Sequence, residues 1–120
     1  MSLFALVKAS PACTALLGAN PVRLFEFGTA PELQTLPYAT YQELYVRPAN
    51  VLEGAPSTDH VKYQIDLWST TATEARALGK AIRRAIDSVG IVTFFQNTFD
   101  HEARLYRITL HYHQLERIEP

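Results

Sequence analysis

The stretch YRITLHYH, Tyr106 to His113, carries the side chains best suited to chemistry. On a strand, residues two apart leave the same face with Cα atoms about 6.5 to 7 Å apart, so His111 and His113 are spaced to share a metal ion. A third ligand is needed, and Asp66 or His60 supplies it only if the Lys62 strand lies alongside. Arg107 leaves by the same face and opposes a cation there, and two imidazoles lack the third ligand and supporting shell of a zinc site. We read His111 and His113 as exposed or interface residues, with a small metal-binding protein or metal-dependent enzyme built on His111, His113 and Asp66 as the competing reading.

Other catalytic patterns are missing from the sequence. The serines sit in cap or turn contexts, no G-x-S-x-G elbow occurs, and the single cysteine, Cys13, lies among alanine and leucine far from any histidine. Cys13 reads as a small, partly buried structural residue, and one cysteine excludes an intrachain disulfide. The 5 glycines are scattered singly, so neither a P-loop nor a dinucleotide fingerprint can be assembled. No cofactor is expected.

Two features point to contact rather than catalysis. Arg76, Lys80, Arg83 and Arg84 form a basic stripe on a helical segment, relieved mainly by Asp87. It serves either as a solvated face or as a grip on phosphate or on acidic residues of another subunit. Trp68, the only tryptophan, falls on the polar side of its strand with Lys62, Gln64 and Asp66. Either a helix or loop covers that end of the sheet, or the indole is an interface anchor.

The elements that must position these residues follow from local pattern. SLFALVKASPACTALLGANP reads as two short helices, the first capped by Ser2, the second by Ser10 with Pro11 at its first turn, and ended by Gly18. VRLFEF (Val22 to Phe27) and PYATYQELYV are strands, the second placing Tyr41, Glu43 and Tyr45 on one face and Leu44 and Val46 on the other. RPANVLEGAPSTDH, Arg47 to His60, reads as a long irregular loop that orders against a partner, with Arg47 and Asn50 as contact candidates. HVKYQIDLW turns Val61, Tyr63, Ile65 and Leu67 inward. Tyr106, Ile108, Leu110 and Tyr112 do the same in the last strand, with Arg107, Thr109, His111 and His113 outward. IVTFFQNTF is a further strand, joined to the last by a turn at Asp100, His101 and Glu102. Between them, Ala75, Leu78, Ile82, Ala85, Ile86 and Val89 recur at spacings of three and four, Thr71 and Glu74 supply a capping box, and Gly90 marks the helix end. This order predicts an α+β fold: an antiparallel or mixed sheet of about five strands, with an N-terminal helical segment and one long helix packed on it.

Bulk properties agree with a single domain over residues 1–120. The chain has 120 residues, 48% hydrophobic and 19% charged, with a net charge of −1. Such a balance gives no footprint for non-specific nucleic-acid or membrane binding. No apolar run reaches the roughly 18 residues needed to span a bilayer, and no basic region with a signal-like core opens the chain.

Over VKYQIDLWSTTATEARALGKAIRRAID the sequence resembles the tail completion proteins of long-tailed bacteriophages and prophages. The carriers are the alternating strand Gln64 to Trp68, the step Ser69 to Thr71, and Glu74, Ala75, Leu78 and Ile82 in an E-A-x-x-L-x-x-x-I helix. TALLGANPVRLFEFGTAP, LPYATYQ and YRITLHYH are similar to the helix end and first strand, the Pro-Tyr strand entry and the closing strand of that family. The resemblance implies a non-enzymatic assembly protein, a tail terminator or head–tail joining subunit, working as a homo-oligomeric ring, with a hexamer expected. Its implied partners are itself, the tail tube protein and a head connector or head-completion protein. A membrane or a specific nucleic-acid sequence is not among them, and head-closure or neck proteins are the alternative role. The implied location is the bacterial host cytoplasm during assembly, then the virion tail. No catalytic residue carries over. The contact candidates are Arg47, Asn50, Trp68, Arg76, Lys80, Arg83, Arg84, Arg107, His111 and His113.

Overall fold

A computed structural model describes residues 2–29, 35–48 and 58–117, with backbone alone at 47–48, 58–59 and 115–117. The elements run α1 (Leu3–Lys8), α2 (Pro11–Leu17), β1 (Leu24–Glu26), β2 (Tyr38–Pro48), β3 (Thr58–Ser69), α3 (Ala72–Ile86), β4 (Gly90–Asp100) and β5 (Leu105–Arg117). The expected α+β architecture is present. The five strands form one sheet in the order β1-β2-β3-β5-β4. It is a mixed sheet, because β1 lies parallel to β2 while the other three pairings are antiparallel.

The helices begin where side-chain oxygens take up their free amides. Ser2, Ser10 and Thr71 accept hydrogen bonds from the backbone N–H of Ala5, Cys13 and Glu74. At α3 the capping box is relayed rather than closed directly. The Thr71 N–H donates to Ser69 Oγ at 3.3 Å, and that hydroxyl donates to Glu74 Oε1 at 2.6 Å. Ser69 is fully buried, so the strand-to-helix junction is closed by its own polar groups.

The core lies on one side of the sheet. Leu78, Ile82 and Ile86 of α3 join Val61, Ile65, Leu67, Ile108, Leu110 and Tyr112 in a single cluster, with Leu3, Val7 and Leu17 of the short helices. The inward alternation expected for β3 and β5 therefore holds, and half-buried Tyr106 packs against the same cluster. Tyr112 enters this apolar layer because its hydroxyl donates to the Ile86 carbonyl at 2.9 Å. Cys13 is wholly buried, and burial pushes its thiol pKa upward. Among the described residues no helix lies on the other face of the sheet.

Three local expectations are corrected. A β-bulge between Glu43 and Tyr45 resets the alternation of β2. Tyr41 and Glu43 stand opposite core-facing Ile65 and Tyr63, whereas Tyr45 stands opposite Lys62 on the other face. The supposed loop Arg47 to His60 is shorter, because Arg47 pairs with His60 and Pro48 with Asp59 in the ladder. Finally, α3 stops at Ile86 with Asp87 at its C-cap, so Val89 is 40% exposed outside the stripe and Gly90 opens β4 instead of ending the helix.

Gly90 is needed for a close approach. A Cβ there would collide with the His113 carbonyl and the Tyr112 ring. Gly90→Ala should therefore destabilise the fold by about 1 to 3 kcal/mol, the usual cost of overpacking, read as a lower urea midpoint with an unchanged slope.

Candidate functional site

Two surfaces gather the candidate residues, and the first is the uncovered sheet face. Asp66 is its centre. Its Oδ1 accepts hydrogen bonds from Arg107 Nε at 3.1 Å, Arg107 Nη2 at 3.0 Å and Thr109 Oγ1 at 2.6 Å. Its Oδ2 accepts one from Gln64 Nε2 at 2.9 Å. The register sets this up: Asp66 lies directly opposite Thr109, and Trp68 opposite Arg107. Asp66 is 8% exposed, so charge-assisted bonds compensate the desolvation of its carboxylate.

Trp68 belongs to the same face. Its ring stacks on Tyr38, the residue across from it in β2, at 5.1 Å between centroids and 22° between planes. Arg107 lies over the indole from β5 at 5.6 Å. A strand neighbour on each side therefore half-covers Trp68, for which the sequence leaves both a covering helix or loop and an interface anchor open.

His111 and His113 lie further along this face. Phe94 of β4 packs on His111 at 4.8 Å, and Tyr45 meets His113 edge-on at 6.2 Å. For His111, burial and then Lys62 lower the pKa below the ordinary value, with Asp66 acting in the opposite direction. For His113, burial, Lys62 and His60 all lower it. Asp66, the third ligand in the metal reading, is committed to Arg107, Thr109 and Gln64. Among the described residues no three His, Cys, Asp or Glu are placed to hold a metal ion.

The second surface is the flank of α3 beside β4. Arg76, Lys80, Arg83 and Arg84 are all exposed. Gly79, between them, lets the sheet come close, since a Cβ would stand 3.1 Å from Phe95 Cζ and 3.3 Å from Ile108 Cδ1. Arg76 also borders a cleft of about 260 Å³ shared with Ala72, Asn97, Phe99 and Tyr106. Beyond the cleft, β4 is the edge strand, and Ile91, Phe94, Phe95 and Phe99 are 67, 41, 37 and 39% exposed. The sequence reading did not single these four out, although an apolar strand without a lysine, arginine or proline was there to see. It also passed over exposed Glu26 and Glu43 at the opposite edge. Their charges, after burial, help to raise the pKa of Tyr41 between them.

Of the remaining candidates, Arg47 is placed only by its register opposite His60, and Asn50 lies outside the described residues. The structure thus brings Trp68, Arg107, His111 and His113 onto one face, and the four α3 cations onto the other side of the sheet.

Comparison with known proteins fits this fold to a family. The model of the family described as tail completion protein gp17 matches residues 1–117. The chain belongs to that family. As a tail completion protein it is a structural component of phage tails. No curated protein matches the chain. Among solved structures it is similar to a chain of the "Virion of native gene transfer agent (GTA) particle", with a TM-score of 0.68 at 11% identity, over 98% of this chain and 92% of that one. At that identity the likeness concerns the fold. No described helix of this tail completion protein is long and apolar enough to cross a membrane.

Two outcomes follow from the open face. Asp66→Ala should cost about 1 to 3 kcal/mol, the scale of hydrogen bonds to a charged group, measured by urea unfolding; an unchanged midpoint would contradict the network's role. The lowered pKa values of His111 and His113 mean that the unfolded chain takes up protons first as pH falls through about 6.5, the ordinary histidine value. Stability is therefore lost in the acid direction, starting near that pH and complete below the folded pKa values. The double variant His111→Gln, His113→Gln should flatten the thermal midpoint between pH 7 and 5, while an equally steep fall would show that other groups dominate.

Proposed function

We infer that this tail completion protein closes the head-proximal end of the tail tube as a homo-oligomeric ring, a hexamer being the expected form. One side of the ring meets the tail tube protein and the other a head connector or head-completion protein. Assembly takes place in the bacterial host cytoplasm, and the subunit then stays in the virion tail. The observation that carries this reading is the family match over residues 1–117. The likeness of fold to a chain from a gene transfer agent virion supports it.

The work is surface complementarity, without catalysis, a membrane or recognition of a nucleic-acid sequence. A closed ring requires heterologous contacts, in which each subunit presents two different patches. Two such patches are on hand: Arg76 beside the β4 phenylalanines towards one sheet edge, and Glu26 and Glu43 at the other. That assigns Arg76, Lys80, Arg83 and Arg84 to subunit contact. Trp68, Arg107, His111 and His113 are left on a preorganised face for the tube or the connector, with the segment containing Arg47 and Asn50 beside it in sequence.

Electron microscopy of the purified chain, free and added to tail tubes assembled without it, tests the proposal. Rings, or caps on one tube end only, are the expected result. Binding to isolated connectors but never to tubes would assign it to the neck instead, and no assembly with either would overturn the reading.

A further inference from the structure

Phe27 is 69% exposed, the most of any large apolar side chain among the described residues. The backbone around it is nevertheless fixed. Its N–H donates to the Tyr41 carbonyl at 2.7 Å, and the Glu26 carbonyl accepts the Thr29 N–H at 2.9 Å and the Thr29 hydroxyl at 2.7 Å. Between them Gly28 takes a φ of +82°, as a glycine at the third position of a turn can. The turn after β1 thus holds an aromatic ring out into solvent at the edge of the sheet.

A hollow of matching character lies towards the opposite edge. The cleft of about 260 Å³ beside Arg76 is lined by buried Ala75 and Ile108 and by Ala72, Phe99 and Tyr106. Small residues one turn apart on α3 leave this space open. A closed apolar cavity of about 150 Å³ is enough for benzene, so a phenylalanine ring fits. Phe99 and Tyr106, edge-on to each other at 4.9 Å between centroids, offer it aromatic neighbours.

Resting on the ring reading, we propose that Phe27 of each copy seats in the cleft between α3 and β4 of the next copy, with Glu26 beside it paired to Arg76 at the rim.

Charge and placement agree with this seating. Glu26 and Arg76 are both exposed, and among the described residues neither belongs to an ion pair. Arg76 Nε donates to the Ala72 carbonyl at 3.4 Å, which keeps the guanidinium at the cleft. Glu26 pairs in register with Tyr41, whose ring packs against the core, so it stands on the helix side of the sheet, as the cleft does. Following the register across the sheet, Glu26 is level with Tyr41, Ile65, Leu110 and Phe95. Phe95 is two residues from Asn97 at the cleft, about 7 Å along the strand. A rotation about an axis near the strand direction preserves faces and heights, and so carries the Phe27 turn of one copy towards the cleft of the next. Because knob and hollow lie towards opposite edges, the contact is heterologous and leaves one of each free until a ring closes.

Four variants test the seating. Phe27→Ala removes an exposed ring, so its urea midpoint should match that of the wild type, while assembly should need about tenfold or more protein. Native mass spectrometry reads this in solution, and electron microscopy on tube ends. Glu26→Arg and Arg76→Glu should each weaken assembly by a similar factor, since each sets like charges at the rim. The double variant Glu26→Arg, Arg76→Glu restores the pair with its signs exchanged and should regain assembly to within about threefold of the wild type. Circular dichroism checks that each variant is folded. Phe27→Ala assembling at wild-type concentration, or a double variant no better than the single ones, would overturn the seating and leave the ring standing. Phe27→Ala rings that form normally but fail to cap tubes would assign Phe27 to the tube and overturn it as well. A wild-type chain that forms no ring in solution or on tubes would overturn the ring reading itself.

Discussion

Burial of one sheet face under α3 is the constraint from which the rest of the molecule follows. Leu78, Ile82 and Ile86 cover Ile65, Leu67, Ile108 and Leu110, and the Tyr112 hydroxyl ties β5 to the last turn of the helix. A helix of 15 residues is about 22 Å long and 10 Å wide. The four strands of 11 to 13 residues run to about 36 to 43 Å, and with the three-residue β1 the sheet spans nearly 20 Å between the outermost axes. The sheet outgrows its helical layer. The central strands are sealed on the helix side, while among the described residues the outer edge of β4 and the far face stay open.

The open face is polar without being loose. Asp66 draws Arg107, Thr109 and Gln64 together, and Arg107 then covers the indole that Tyr38 supports from the other side. Removing one member leaves charged or hydrogen-bonding groups half-buried without partners, so the cluster holds its shape as a unit. A surface ordered in advance loses less entropy when a partner docks, which suits a structural component of a phage tail.

Much of this was legible in the chain because the governing contacts are short in sequence. Period-two alternation marked the buried residues of β3 and β5, period-three-and-four spacing marked α3, and Ser2, Ser10 and Thr71 marked the helix starts. Where the reading failed, a distant segment had intervened. Tyr45 changed face because a bulge opposite β3 inserted a residue. Gly90 looks like a helix stop in the sequence because its reason for being glycine, the His113 carbonyl and the Tyr112 ring, lies on a strand more than twenty residues away.

The sequence alone therefore determined the elements, their caps and which side of each is apolar, since these depend on dihedral preference and on hydrophobic spacing within a few turns. Tertiary structure decided that β5 enters between β3 and β4, which places Arg107 beside Asp66 and Trp68 and leaves β4 at the edge. Nothing in the local pattern of β4 distinguishes a central strand from an outer one. Only the sheet order, a result of which backbones find each other across the core, exposes its phenylalanines.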